Sequence, residues 1–199
     1  MASLASPERR RVTPEEYLTI ERQASCRSEY VQGEMFAMAG GSLAHDRITS
    51  NLGGLLHALL RGGPCEVLTS NMKVCTPSRS LFSYPDLTVV CGGPRFHDQK
   101  SDVLINPKVL FEVLSPSTEA FDRGKKRIFY QSLESLTDYV LVAQDEALVE
   151  HWARETDGPW LVTTLQTLES QLQLPSIGCA LKLESIYERV GFADPGESS

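Results

Sequence analysis

The sequence predicts a mixed α/β domain of the α+β kind: a mixed β-sheet flanked by helices, with a β-hairpin extension in its C-terminal part. Three observations carry this reading. Strand-length apolar runs recur at residues 84–91, 108–114 and 138–142, as expected of strands buried on both faces. A segment after Ser42 carries Ile48, Leu52, Leu55, Leu56 and Leu59 at helical spacing. Clusters of Gly, Pro, Asp and Asn separate the periodic segments, so helices and strands alternate in short units along the chain.

The totals bound the function. A chain of 199 residues suits one domain, which at this size buries about 70% of its unfolded surface. Its 41% hydrophobic and 23% charged residues are ordinary for a globular protein. The net charge of −7 excludes a strongly basic overall surface, so any nucleic-acid contact must be local. The five cysteines, Cys26, Cys65, Cys75, Cys91 and Cys179, contain no C-x-x-C pair and sit mostly in apolar runs. They read as small buried residues in a reducing, cytoplasmic setting. The first twelve residues lack an apolar signal core. No apolar run approaches the roughly 18 residues of a membrane span, so no membrane partner is expected.

Residues 1–12 read as a flexible arm, 13–192 as one domain and 193–199 as a disordered tail. Thr13-Pro14-Glu15-Glu16 starts a helix with a capping box and Pro at its first position, and the helix should end near Ala24. Residues 27–39 alternate in polarity and predict two strands turning at Gln32-Gly33. Ser42 caps the next helix, and Gly62-Gly63-Pro64 ends it. Residues 65–76 read as a strand. The loop 92–107 lies beside the acids discussed below and is a candidate substrate loop. Residues 118–133 predict a helix, in which Gly124 costs about 1 kcal/mol against Ala. After the strand 138–142 come a turn at Asp145-Glu146, a hairpin partner over 148–154, a turn at 156–158, a strand over 160–165 and a closing helix over 181–190.

Chemistry concentrates between residues 84 and 130. Asp86 follows Pro85 at a strand start. Glu112 lies between Phe111 and Val113-Leu114, where an unpaired carboxylate would be costly. Two carboxylates on neighbouring strands suit Mg²⁺, a hard cation that takes carboxylate, water and phosphate oxygens. Asp122, Lys126 and Tyr130 recur every four residues and share a helix face, so Lys126 can point back at the acids. There it would position water or stabilise a negative transition state. As a bare charge run, the cluster Arg123, Lys125, Lys126 and Arg127 reads more simply as a solvated basic face. The hydroxyls of Ser115, Ser117 and Thr118 most simply cap the lysine-bearing helix. Glu29 lies near a turn, and His45 reads as structural. His57, His97 and His151 have no zinc spacing.

Together, Tyr84-Pro85-Asp86, Glu112-Val113-Leu114-Ser115-Pro116-Ser117-Thr118 and Asp122 through Lys126 to Tyr130 resemble the bacterial Uma-two family of restriction-endonuclease-like proteins, in the PD-(D/E)XK nuclease superfamily. Glu29-Tyr30-Val31-Gln32-Gly33-Glu34 and Ser70-Asn71-Met72-Lys73 are also similar, so the likeness runs over residues 13–192. It implies a restriction endonuclease-like core and a Mg²⁺-dependent endonuclease acting on DNA phosphodiesters, with Mn²⁺ as a substitute. Asp86, Glu112 and the Val113 carbonyl would be metal ligands. Asp86, Glu112, Lys126 and Glu29 would form the catalytic set. The superfamily's lysine two residues after the acid is replaced here by Leu114, and Lys126 takes its part. Family members often carry Asp where Gln32 and Asn71 stand. The resemblance further implies a possible homodimer, since cutting both strands needs two sites. Two other readings stay open: a catalytically inactive nucleic-acid-binding or protein-interaction module on the same fold, and a metal-free carboxylate-pair enzyme such as a glycosidase.

Overall fold

The computed structural model describes residues 11–156 and 158–192. The tail at 193–199, most of the arm and the centre of the 156–158 turn lie outside the described residues. Val12 already belongs to the fold, because its N–H donates to the Gly33 carbonyl at 2.8 Å.

Helix α1 (Pro14–Glu21) begins with the expected capping box: Thr13 Oγ1 accepts the Glu16 N–H at 3.2 Å, and Glu16 accepts the Thr13 N–H at 2.9 Å. It stops short of Ala24; Tyr17, Leu18 and Glu21 are its buried residues. Strands β1 (Ser28–Val31) and β2 (Glu34–Ala37) pair as the predicted hairpin. Gln32 and Gly33 take φ of 49° and 100°, the left-handed pair that a tight two-residue hairpin turn needs. In α2 (Leu43–Leu60) the inward stripe is Ile48, Leu52, Leu56 and Leu60, while Leu59 is exposed. Each such buried aliphatic side chain contributes about 2 kcal/mol.

The expected strand over 65–76 breaks at residues 70–72. Its halves, β3 (Cys65–Thr69) and β4 (Lys73–Cys75), enter different sheets. The strand expected over 84–91 is shortened at its start. A short β5 (Leu81–Ser83) precedes it, and β6 (Leu87–Cys91) begins only after Pro85-Asp86, because Pro offers no ladder donor. The loop expected over 92–107 contains β7 (Val103–Leu104). Strand β8 (Val109–Val113) follows as predicted. The helix expected over 118–133 is three pieces: α3 (Glu119–Phe121), a π-helical turn (Asp122–Lys126) and α4 (Arg127–Gln131). Strands β9 (Asp138–Val142), β10 (Val149–Arg154) and β11 (Trp160–Leu165) form the expected meander. The final hairpin of β12 (Gln171–Leu174) and β13 (Cys179–Lys182) was not foreseen, and it shortens the closing helix to α5 (Leu183–Ile186). The period-2 signal Gln171-Leu172-Gln173-Leu174 was available, with Leu172 and Leu174 inward.

Instead of one mixed sheet there are two. One has the order β2-β1-β5-β4-β7, the other β11-β10-β9-β8-β6-β3, and β12-β13 is a separate pair. Both are mixed, since β4 runs parallel to β7 and β8 parallel to β9. Alternation along the central strands builds two cores. Val109, Phe111 and Val113 pack with α2 and the C-terminal hairpin. Leu110 and Leu114 pack with Tyr130, Leu133 and Leu136 on the other face. A third core joins α1 to the five-stranded sheet through Tyr17, Tyr30 and Phe82.

The cysteine reading needs correction. Cys65 and Cys91 are disulfide-bonded and Cys26 is exposed; only Cys75 and Cys179 are free and buried. The reason is register: Cys65 and Cys91 face each other across β3 and β6, a proximity that sequence spacing does not show.

Asp138 ties the C-terminal elements together. Its carboxylate meets His151 Nε2 at 2.7 Å and Thr137 Oγ1 at 2.7 Å, and it accepts from Ser176. Burial would raise its pKa, but the bonds from His151, Ser176 and Thr137 outweigh burial and hold it below the usual 3.8. A depressed carboxyl stabilises the fold above its unfolded pKa, and that contribution is lost as pH falls through the folded one. Asp138→Asn should therefore cost about 1–3 kcal/mol at pH 7. Thermal melts should show the gap to wild type closing as the pH falls below 3.8.

Candidate active site

Several elements converge on one ammonium group. Because alternate β8 side chains face opposite cores, Glu112 falls on the face that meets Tyr130. Lys126 Nζ lies 2.9 Å from Glu112 Oε1, 3.1 Å from Glu29 Oε1 and 3.2 Å from Asp122 Oδ1. Glu112 Oε1 also accepts the Tyr130 hydroxyl at 3.0 Å, and Tyr130 shares a 2.8 Å hydrogen bond with Ser83 Oγ. Glu29 comes from β1, in the other sheet, and accepts the Tyr84 N–H at 3.2 Å. Lys126, Glu112 and Asp122 are each no more than 5% exposed. Lys126 thus joins both sheets to the helical segment.

Asp86 stands immediately before β6. Its Oδ2 accepts the Val113 N–H at 2.7 Å, and His45 Nε2 lies 3.3 Å from the same oxygen. Asp86 therefore sits against the end of β8, beside the residue that follows Glu112. His45 reaches it from the first turn of α2, where its own N–H donates to the cap Ser42 Oγ at 3.1 Å. His45, which reads from the sequence as structural, thus stands against Asp86. One signal was present, since a helix N-cap fixed by Ser42 holds the first turn rigid.

Protonation follows from burial and charge. Burial pushes Glu112 well above the usual carboxylate range; Lys126 opposes this, while Asp122, Asp86 and Glu29 add to it. Asp122 is raised for the same first reason, burial. Burial alone would lower Lys126, yet Glu112, Glu29 and Asp122 hold it well above its usual value, so it stays an ammonium. Hydrogen bonding to Asp86 raises His45 above its usual 6.5 against the effect of burial.

The helical segment is not the solvated basic face it resembles in sequence. Arg123 pairs with Glu119 at 2.8 Å and with Glu150. The Arg127 guanidinium stacks 4.1 Å over Trp152. Lys126 turns inward, and exposed Lys125 has no ion pair among the described residues. The π-helical turn brings Asp122 and Lys126 to the buried side; such turns often mark functional positions. A Cβ on Gly124 would meet nothing within 4 Å, so packing does not require glycine there. The Ser115, Ser117 and Thr118 hydroxyls bond one another at 2.9–3.0 Å and do not cap α3. Gln32 and Asn71 lie outside the cluster: one occupies the β1–β2 turn, the other accepts from Arg27 at 3.1 Å.

The donor set can be tested against Mg²⁺. Glu29, Asp86, Glu112 and Asp122 give four carboxylates, against Lys126 and a protonatable His45. Fully ionised, that leaves an excess of negative charge even with both cations present. Asp122 Oδ1 is buried and, despite its closeness to Lys126, lacks a well-directed hydrogen bond. Among the described residues no three His, Cys, Asp or Glu side chains close a metal cage. Mg²⁺ does not need one, since it usually takes one or two carboxylates and completes its shell with water and phosphate. Hard oxygen donors and surplus negative charge fit that cation.

Two mixed sheets flanked by helices, with paired acids and a lysine where β6, β8 and the helical segment meet, define a nuclease-like α+β class. The chain belongs to the Uma2 family, described as "Putative restriction endonuclease", which it matches over residues 14–184. Two uncharacterized proteins of Synechocystis are similar. One is 37% identical over 92% of this chain and 94% of its own length. The other is 35% identical over 81% and 92%. The fold matches the crystal structure of a "putative nuclease" belonging to DUF820 from Anabaena variabilis. That match has a TM-score of 0.73 and 16% identity, and it covers 88% of this chain and 97% of that one. No described helix is long and apolar enough to cross a membrane.

The charge balance makes a stability prediction. Lys126→Met leaves buried Glu112 and Asp122 and half-buried Glu29 without their cation and should cost about 3–5 kcal/mol. Glu112→Gln removes one surplus charge and should stay within about 1 kcal/mol of wild type. Because the folded pKa of Glu112 is raised, wild-type stability should fall as pH rises from 4.5 toward that value. Urea titrations across this range should show a smaller fall for Glu112→Gln, the remainder coming from Asp122, which burial raises as well.

Proposed function

We propose that the protein is a metal-dependent endonuclease that hydrolyses DNA phosphodiester bonds, with Mg²⁺ as cofactor and Mn²⁺ as its substitute. The carrying observation is the packing of Asp86 against the end of β8, next to a Glu112 already bonded to Lys126. Asp86, Glu112 and the Val113 carbonyl would hold the metal. When bound, it would supply Lewis-acid polarisation of the phosphoryl oxygen and a bound water of lowered pKa. The Val113 N–H and His45 orient the Asp86 carboxylate. Tyr130 orients Glu112 and leaves its position little freedom. Lys126, held as an ammonium by three acids, suits placing water and offsetting negative charge on the reacting phosphate; it is too strongly held as a cation to serve as a base. Glu29 fixes the lysine and assists through it.

A DNA substrate also implies a cytoplasmic location, where Cys65–Cys91 would face a reducing thiol pool. Cutting both strands implies a homodimer that brings two such sites together. The net charge of −7 favours one competing reading, a catalytically inactive nucleic-acid-binding module.

The test is cleavage of supercoiled and single-stranded DNA in Mg²⁺ or Mn²⁺. Wild type should cut, and Asp86→Asn, Glu112→Gln and Lys126→Met should each lose about 100-fold or more in rate. Full activity in the Asp86 or Glu112 variant would sink the assignment. Salt-dependent DNA binding without turnover would favour the inactive module.

A further inference from the structure

The far end of the same sheet holds a second polar cleft. Strand β6 runs from the acid cluster at Asp86 to Cys91, roughly 17 Å away at about 3.4 Å per residue. Beyond Cys91 lies a cleft of about 430 Å³ lined by Cys91, Gly92, Gly93, Arg95, Asn106, Lys108 and Ser135. That volume suits a small ligand. No carboxylate lines it, although the chain is acidic overall. Its two cations, Arg95 and Lys108, have no ion pair among the described residues, whereas Arg22, Arg79 and Arg123 all do.

The cleft is built rather than incidental. Gly92 and Gly93 have φ of 72° and 90°, left-handed values at which a side chain would be strained. The Gly92 N–H donates to the Pro64 carbonyl at 2.9 Å. Buried Asn106 then braces the rim with both ends of its amide: Oδ1 accepts the Arg95 N–H at 2.7 Å, and Nδ2 donates to the Gly93 carbonyl at 3.0 Å. Lys108 is fixed by its N–H to Val89 at 2.7 Å and by its carbonyl, which accepts from Thr137. The wall holds one unsatisfied group. Ser135 Oγ is enclosed and has no hydrogen-bond partner among the described residues, a costly state for a buried hydroxyl. Two cations without an ion pair among the described residues, in a lining that holds no carboxylate, suit an oxyanion.

We propose that this cleft binds a phosphate group, with Arg95 and Lys108 supplying the charge and Ser135 standing in the wall beside them. The phosphate can come from free inorganic phosphate or from a nucleic-acid backbone. In the second case the cleft would be a remote anchor on the strand that the Glu112 site acts upon.

Calorimetry on the full chain in EDTA separates the sources and involves no catalysis. One arm uses inorganic phosphate, the other a single-stranded oligodeoxynucleotide. Binding in at least one arm should weaken by about tenfold for each cation removed in Arg95→Gln and Lys108→Gln. Ser135→Ala should weaken it less, and Lys125→Gln should leave it unchanged. Loss in the phosphate arm alone identifies a free-anion site; loss in the oligonucleotide arm identifies a backbone anchor. Both cations are at least partly exposed and unpaired, so unchanged melting temperatures should accompany the loss. Absence of binding in both arms, or equal binding by the double variant, would overturn the proposal. Neither result bears on the metal-dependent reading of Asp86 and Glu112, which lie at the other end of β6.

Discussion

The site depends on burying one ammonium among three carboxylates. Isolated, either Lys126 or Glu112 would lose several kcal/mol on leaving water. Placed 2.9 Å apart, with Glu29 and Asp122 each within 3.2 Å of the lysine, they make a buried network whose members need one another. The partners come from β1, β8 and the π-helical turn, so the network can form only when both sheets and the helical segment have docked. A residue pattern that would destabilise any one element alone thereby specifies how the elements assemble.

The same arrangement gives the protein two chemically distinct ends. Strands β6 and β8 are antiparallel, so the start of one lies beside the end of the other. Acids gather where β6 begins and β8 ends; unpaired cations gather where β6 ends and β8 begins. In a chain with a net charge of −7, this local separation keeps Arg95 and Lys108 apart from the acids. His45 adds a link between the acid end and α2, the helix that carries the largest apolar stripe into the core.

Much of this was legible in the sequence. Period-2 and apolar runs located β6, β8 and β9, and the Glu112 flanks marked a buried carboxylate that demanded a partner. The four-residue spacing put Asp122, Lys126 and Tyr130 on one helix face with Lys126 able to point at the acids; Lys126 and Tyr130 both meet Glu112, and Asp122 meets Lys126. What stayed hidden was long-range pairing. Residues 65–76 read as one strand because nothing local says that β3 and β4 join different sheets. The Cys65–Cys91 pairing is set by β3–β6 register alone. Ser115, Ser117 and Thr118 looked like helix caps, but they found each other first. His45 carried no motif, and only the packing of α2 over β6 brings it to Asp86.

The central claim is that Asp86 and Glu112 form one cation site built around the Lys126 network. The most direct measurement is Mn²⁺ calorimetry on wild type, Asp86→Asn and Glu112→Gln, with and without a short DNA duplex to complete the coordination shell. Wild type should bind one ion per chain, and both variants should lose that binding while their melting temperatures persist. Binding that survives either substitution, or a wild type that takes no ion even with DNA present, would contradict it.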